Sequence, residues 1–109
     1  MKTTVIVVPC FNEAERLPVA TFERFCSDTS WVRFIFVNDG STDETGEVLA
    51  RLRDRNPARI SVLQLRPNQG KAEAVRKGMR AALTGNASCA GYWDADLAAP
   101  LEEIPRLAR

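Results

Sequence analysis

Short apolar runs alternate with longer segments of helical spacing along the whole chain. The first run is rich in β-branched residues and ends at Pro9, a pattern typical of a central strand buried on both faces. The predicted strands cover residues 4–8, 34–37, 60–65 and 90–93. Such an order of strands and helices predicts an α/β domain, a three-layer α/β/α fold with a mostly parallel Rossmann-like sheet.

The predicted helices have recognisable start signals. Pro18 suits the first turn of the first helix, and Ser41 with Glu44 forms a capping box before the second. The third is predicted over residues 71–83 and a last one over residues 101–109. The apolar stripe of the third helix is predicted to consist of Ala72, Val75, Met79 and Ala82.

Composition excludes several classes of function. A chain of 109 residues predicts one domain. With 15 Lys and Arg against 14 Asp and Glu, a net charge of +1 gives no support for nucleic-acid binding. The absence of histidine excludes zinc sites and Ser-His triads in their usual forms.

The cysteines and the N-terminus bear on the compartment. The chain has an odd number of widely spaced cysteines, Cys10, Cys26 and Cys89. This pattern favours reduced thiols in a cytoplasmic protein over disulfides. All three are predicted to be small buried hydrophobic residues. The N-terminal apolar run is too short for a membrane span and lacks the features of a signal peptide. The arginines at positions 51, 53, 55 and 59 are predicted to form a solvated face.

Polar clusters follow all four predicted strands. Parallel sheets bind ligands beyond the carboxyl ends of their strands, so these clusters are expected to meet on one rim. The clusters are residues 9–13, 38–41, 66–71 and 94–96. Their convergence carries more weight than any one motif.

The pair Asp94 and Asp96 points to a metal–diphosphate site. Hard cations such as Mg²⁺ and Mn²⁺ prefer oxygen ligands and bind diphosphates at the same time. A solvated turn or a helix-capping acid is the simpler interpretation of Asp-x-Asp, since Asp is common at strand ends. The position of the pair after a strand, beside other polar loops, favours the metal.

The other clusters keep two interpretations each. Asp39 can accept hydrogen bonds from a base or a ribose, although Asn-Asp-Gly also makes tight turns. Phe11 beside Glu13 offers a flat surface for a nucleobase or is one buried aromatic. Lys71 faces an anion at a helix start or is an exposed lysine. The phosphate-loop motif of nucleoside triphosphatases is absent. It requires a glycine where this chain has Leu65 and a Ser or Thr where it has Ala72.

Four motifs in this order and spacing resemble family 2 glycosyltransferases. They are residues 8–13, 37–43, 68–71 and 94–96. The chain looks like the N-terminal, nucleotide-binding half of their GT-A fold, with the expected strand order 3-2-1-4. The pattern Tyr-x-Asp-Ala-Asp-Leu-x-x-Pro, from Tyr92 to Pro100, is similar to that of dolichyl-phosphate mannosyl- and glucosyltransferases and their bacterial relatives.

The resemblance implies roles for individual residues. The nucleotide-sugar pocket is expected to be lined by Pro9, Phe11, Glu13, Asp39, Lys71 and Asp94. Phe11 is expected near the base, where the family often has Tyr, and Asp39 is expected to hydrogen-bond the base. Asp94 and Asp96 are expected to hold Mg²⁺ or Mn²⁺ on the diphosphate, with Asp96 the more direct ligand.

The resemblance also implies the reaction and its partners. An inverting transfer is expected from a UDP- or GDP-sugar to a lipid-phosphate or glycan acceptor, in cell-envelope glycan synthesis. Residues 1–109 are expected to be the donor half with the acceptor half absent, so no general base is nominated and the chain alone is expected to have little activity.

Two other functions stay open on the sequence. The chain could be a non-catalytic nucleotide-binding or interaction module, and a phosphatase is a weaker alternative. A homo-oligomer is predicted through the exposed fourth strand. The full-length enzyme is expected in the cytoplasm, with membrane association as an option.

Overall fold

Strands and helices alternate along the chain, as the sequence predicts. The computed structural model describes residues 3–85 and 87–107. The elements are β1 (Thr4–Cys10), α1 (Val19–Asp28), β2 (Val32–Asp39), α2 (Thr45–Arg55), β3 (Ile60–Leu65), α3 (Lys71–Leu83), β4 (Cys89–Tyr92), a 3₁₀ turn (Leu101–Glu103) and α4 (Ile104–Leu107). The predicted last helix is thus split in two, and its residues 108 and 109 lie outside the described part.

The strands form one parallel sheet in the order β3-β2-β1-β4. This confirms the predicted order 3-2-1-4 and the α/β class. β1 pairs with β2 along its whole length and with β4 from Thr4 to Val7. The order reverses at β1, since β2 and β3 lie on one side of it and β4 on the other. Parallel α/β sheets place their ligands beyond the strand ends at such a reversal.

Proline does not end the first strand. β1 continues through Pro9 to Cys10, so the predicted end at residue 8 is wrong by two residues. The Trp93 amide donates to the Val7 carbonyl (2.9 Å), so the backbone N and O atoms of Val7 point toward the β4 side of the strand. Backbone groups alternate sides along a strand, so the backbone nitrogen of Pro9, two residues on, points to the same side. The last β1–β4 pair is Val7 with Tyr92. The missing N–H of Pro9 therefore breaks no bond of the sheet.

An aromatic cluster fills one face of the sheet. The Phe22 ring of α1 meets the Phe34 and Phe36 rings of β2 edge to face, with centroids 5.4 and 5.0 Å apart. All three side chains are fully buried. Edge-to-face contact between buried rings adds about 0.5–1.5 kcal/mol per pair to the burial of their area. These contacts fix α1 against the central strands.

Helix α3 covers the opposite face with its smallest side chains. Its buried residues are Ala74, Gly78 and Ala82, so the predicted stripe is rotated and Ala72 is exposed. A Cβ atom on Gly78 would lie 2.3 Å from Val7 Cγ1 and 2.9 Å from Val37 Cγ2. The helix packs this close to β1 and β2 because position 78 has no side chain.

The start of α2 differs from the predicted capping box. Ser41 Oγ accepts a hydrogen bond from the Asn12 amide (3.0 Å), and the helix begins only at Thr45. Asp43 Oδ1 accepts the Thr45 amide instead (2.9 Å). The hydrogen bond from the Thr45 hydroxyl holds the pKa of Asp43 below its ordinary value. The predicted capping pair is wrong, because Ser41 contacts the loop after β1.

Two predictions about burial are also corrected. Arg59 is half-buried. Its guanidinium donates to the carbonyl of Val32 at the start of β2 (2.8 Å) and to that of Cys26 in α1 (2.6 Å). It is not part of a solvated face. Cys10 and Cys26 are buried, whereas Cys89 is exposed because it lies on the edge strand β4.

No helix among the described residues is long and apolar enough to cross a bilayer.

Candidate functional site

The loops that follow the strands enclose one open cleft at the carboxyl end of the sheet. Its volume is about 500 Å³, a size typical of small-molecule sites. The structure brings together every residue predicted for the site, namely Pro9, Phe11, Glu13, Asp39, Lys71, Asp94 and Asp96. Four other residues also line the cleft, namely Cys10, Asn68, Gly70 and Ala95. They belong to the predicted polar clusters, but no site role was predicted for them.

Phe11 presents an aromatic surface at the mouth of the cleft. Its side chain is 43% exposed, which is unusual for a large hydrophobic residue in this chain. Glu13 lies on the same loop, forms a surface ion pair with Arg16 (3.3 Å), and its amide donates to Thr45 Oγ1 (2.8 Å). The loop therefore offers a flat apolar face beside a carboxylate, which suits a heteroaromatic base.

Asn12 fixes that loop against the loop between β2 and α2. Its backbone has a φ of 53°, a left-handed conformation that Asn tolerates better than most residues. Its side-chain Oδ1 accepts the amides of Thr42 (2.9 Å) and Asp43 (3.3 Å). No role was predicted for Asn12 from the sequence, where its one signal is its place between two predicted site residues.

Asp39 lies at the bottom of the cleft and shapes its wall. The residue is 3% exposed, and its carboxylate accepts the amides of Gln69 (2.7 Å) and Gly70 (3.0 Å) and the side-chain amide of Asn68 (3.1 Å). A buried carboxylate needs such donors. Asp39 thus holds the β3–α3 loop in place as well as lining the cleft.

A glycine allows the two central loops to touch. Gly40 has a φ of 66°, and a Cβ there would lie 2.3 Å from the Asn68 backbone nitrogen. No other residue fits both the conformation and the close approach. Gly70, with a φ of 94°, turns the chain directly into α3. The two glycines place Lys71 at the start of the helix on the cleft wall.

Lys71 and Asp94 form an ion pair across the cleft. Lys71 Nζ lies 2.6 Å from Asp94 Oδ1 and 5.7 Å from the centroid of the Tyr92 ring. The hydrogen bond to Asp94 raises the pKa of Lys71 above its ordinary value, and Asp96 adds to this at longer range. The lysine therefore stays protonated beside the acidic pair.

The acidic pair can supply part of a cation's coordination. Asp96 Oδ1 accepts the Ala98 amide (3.0 Å), and the Trp93 indole donates to the Ala99 carbonyl (2.7 Å), which together shape the loop after β4. Residues 3–85 and 87–107 contain no group of three or more His, Cys, Asp or Glu that could hold a metal. Two carboxylates fit Mg²⁺ or Mn²⁺ when a diphosphate supplies further oxygens.

Cys10 lines the cleft but is not a suitable nucleophile. Burial, and to a lesser degree the nearby Glu13, raises the pKa of its thiol to about 12. Thiol nucleophiles need the thiolate form, which is negligible at neutral pH for such a group. The chemistry of the cleft therefore belongs to its carboxylates, its lysine and its aromatic face.

Solved structures share this architecture. The mannosyltransferase PcManGT from Pyrobaculum calidifontis, in complex with GDP-Man and Mn²⁺, is similar with a TM-score of 0.69 and 20% identity over 85% of this chain and 27% of its own. Residues 1–349 of S. aureus TarS give a TM-score of 0.68 with 21% identity over 99% and 31% of the two chains. The fold is thus the GT-A type of α/β domain.

Sequence comparison gives the family. The model of glycosyl transferase family 2 matches residues 5–109, and the chain belongs to this family. The undecaprenyl-phosphate 4-deoxy-4-formamido-L-arabinose transferase of Photorhabdus laumondii is 32% identical over 100% of this chain and 34% of its own length. That of Pectobacterium carotovorum is 34% identical over 98% and 33%. The chain thus spans about a third of the length of these relatives.

Proposed function

We propose that the cleft binds a nucleotide-diphosphate sugar and presents it for transfer to an acceptor. One observation carries the proposal. Residues from four separate loops, predicted from motifs far apart in the sequence, line a single cleft where the strand order reverses. Membership of a glycosyltransferase family supports the same assignment. The donor would lie with its base toward Phe11 and its diphosphate toward Lys71 and Asp94.

The acidic pair is proposed to hold the cation. Asp94 and Asp96 would ligate Mg²⁺ or Mn²⁺ together with the diphosphate, with Asp96 as the more direct ligand, as the family resemblance implies. When bound, the cation stabilises the charge that develops on the leaving nucleoside diphosphate. The Mn²⁺ complex of PcManGT supports a divalent cation for this fold.

Two residues are proposed to read the base. Phe11 would stack on it, and Asp39 has lone pairs left for a base or ribose N–H or O–H beside its three internal donors. Neither contact selects uridine over guanosine. Structures of similar fold contain GDP-Man, UDP and UDP-GlcNAc. Both uridine and guanosine nucleotides are therefore candidates for the donor.

A lipid phosphate is the proposed acceptor class. The curated relatives named above are undecaprenyl-phosphate sugar transferases, which favours a lipid phosphate over a glycan and a place in cell-envelope synthesis. A phosphate is already anionic at neutral pH, so its attack on the anomeric carbon needs no strong general base. The inverting outcome follows from a single in-line displacement by that oxygen.

A transfer assay tests this function. The full-length protein is incubated with Mn²⁺, a radiolabelled UDP- or GDP-sugar, and either a polyprenyl phosphate or a soluble glycan, and the label transferred to each acceptor is counted. Label on the polyprenyl phosphate above the background of an Asp96→Asn variant supports the proposal. Nucleotide binding without transfer to either acceptor supports the non-catalytic module, and release of inorganic phosphate from a model ester supports the phosphatase.

A further inference from the structure

The amino group of Lys71 occupies an oxygen of a proposed metal ligand. Nζ lies 2.6 Å from Asp94 Oδ1, while the Tyr92 ring flanks the same ammonium at 5.7 Å. Both partners remain accessible to water, with side-chain exposures of 58% for Lys71 and 46% for Asp94. An exposed pair of this kind is weak and exchanges partners easily. The contact is therefore one state of a movable side chain.

We propose that Lys71 is a placeholder cation: it masks Asp94 while the cleft holds no diphosphate and moves onto the diphosphate when donor and metal bind. The inference rests on the proposed function and adds an order to it. A divalent cation on Asp94 would lie within a few ångströms of the ammonium, so the two positive charges compete for the same carboxylate. A diphosphate removes the competition, because its oxygens can serve both.

The position of Lys71 allows this move. It is the first residue of α3, directly after Gly70, and both line the same cleft as Asp94. The free amides and the dipole at a helix start favour an anion there, so a diphosphate bound beside Lys71 would be stabilised by the backbone as well as by the ammonium. The lysine would shift from the carboxylate to the phosphate without a change in the backbone.

The placeholder predicts a coupling between the two ligands. Without nucleotide, the lysine lowers the affinity of the acidic pair for the cation, and with nucleotide it no longer does so. Coupling is reciprocal, so the cation must raise nucleotide affinity by the factor by which nucleotide raises cation affinity. Removal of Lys71 should therefore reduce this coupling factor. The variant should bind the cation more tightly in the absence of nucleotide, and it should bind nucleotide less tightly in the presence of the cation.

Lys77 provides a matched control on the same helix. Its Nζ donates to Gln69 Oε1 in the β3–α3 loop (2.8 Å) and has no ion pair with Asp94 or Asp96. Lys77→Met removes the same charge as Lys71→Met, from a partly exposed site on the same helix. Lys71→Arg keeps the charge at the ion pair. The three variants separate a local contact from a general change in electrostatic potential.

The test measures Mn²⁺ binding by electron paramagnetic resonance of the free ion, first without nucleotide and then with UDP or GDP. Lys71→Met is expected to bind Mn²⁺ about fivefold more tightly than wild type in the absence of nucleotide. Lys71→Arg and Lys77→Met are expected to match wild type. With nucleotide present, the advantage of Lys71→Met is expected to disappear, and its nucleotide affinity in Mn²⁺ is expected to fall. Thermal unfolding confirms that each variant is folded.

Two results would overturn the inference. Equal Mn²⁺ affinity of nucleotide-free Lys71→Met and wild type would show that the lysine masks nothing. An equal gain in Lys77→Met would show that only the overall charge matters. Failure of the proposed function looks different, because wild-type chain would then bind neither UDP nor GDP in the presence of Mn²⁺.

Discussion

At the scale of single residues, several side chains of the cleft have a structural and a proposed chemical role at once. Asp39 lines the cleft and also accepts three donors of the β3–α3 loop. Its place at a strand end could be predicted from the sequence, because strand ends of a parallel sheet share a rim. Its donors could not, since they depend on how closely Gly40 lets two distant loops approach. The bridging by Asn12 was missed for the same reason.

Phe11 allows a test of the base-binding surface. Phe11→Ala is expected to weaken UDP or GDP binding about tenfold, because stacking of a base on an aromatic ring contributes about 1–3 kcal/mol. Phe11→Tyr keeps the ring and is expected to bind at least as well as wild type. Isothermal titration calorimetry gives the affinities. Leu83→Ala, an exposed apolar site on α3 outside the cleft, serves as control, and equal affinity of Phe11→Ala and wild type would remove Phe11 from the site.

At the scale of strands and helices, periodicity predicted the elements, and packing decided their ends and faces. β3 and α3 begin and end as predicted, because each lies between clear stop signals. β1 runs past Pro9 because no strand pairs with it on that side at that level. Of the predicted stripe of α3 only Ala82 is fully buried, and the sheet buries Ala74 and Gly78 in place of Val75 and Met79. Neighbouring elements cause these differences, and a local pattern does not contain them.

Gly78 tests the close packing of α3 on the sheet. Ala normally stabilises a helix interior relative to Gly by about 1 kcal/mol, but here its Cβ would overlap Val7. Overpacking of a core costs about 1–3 kcal/mol, so Gly78→Ala is expected to lower the free energy of unfolding measured in urea. Gly85→Ala, whose Cβ would meet only the Ala82 carbonyl at 3.8 Å, is expected to change it by less than about 0.5 kcal/mol. A Gly78→Ala variant with a higher free energy of unfolding than wild type would contradict the close packing of α3 on β1 and β2.

At the scale of the whole molecule, the sheet has the order expected from the family resemblance, with β4 at one edge. Strand order lies beyond what periodicity predicts, and only the resemblance supplied it. The chain spans about a third of its curated relatives, so the acceptor and the base that serves it are proposals for the whole protein. Among the residues that the structure describes, the cleft is lined by the carboxyl ends of β1 to β4 with the loops that follow them and by the start of α3.

The edge of β4 leads to a prediction about self-association. Cys89 and Trp93 donate their amides toward β1, so the N–H groups of Ala90 and Tyr92, which alternate with them, face the free edge. Within the described residues β4 pairs with β1 alone. Light scattering of the chain under reducing conditions is expected to show a dimer at high concentration, and Ala90→Pro is expected to weaken it.

The exposed thiol of Cys89 needs its own control in that experiment. Cys89→Ser is expected to leave the dimer intact, because pairing of strand edges does not depend on a disulfide. A chain that stays monomeric at the highest concentrations tested would remove self-association through β4 from the account.

The dependence of nucleotide affinity on Mn²⁺ tests the central claim most directly. UDP and GDP are titrated into the chain with and without Mn²⁺, for wild type, Asp96→Asn and the control Asp54→Asn, which changes an exposed aspartate at the end of α2. Wild type and Asp54→Asn are expected to bind at least one nucleotide about tenfold more tightly with Mn²⁺, and Asp96→Asn is expected to lose that gain. An Asp96→Asn chain that keeps the full Mn²⁺ dependence would contradict a nucleotide–metal site built on the acidic pair after β4.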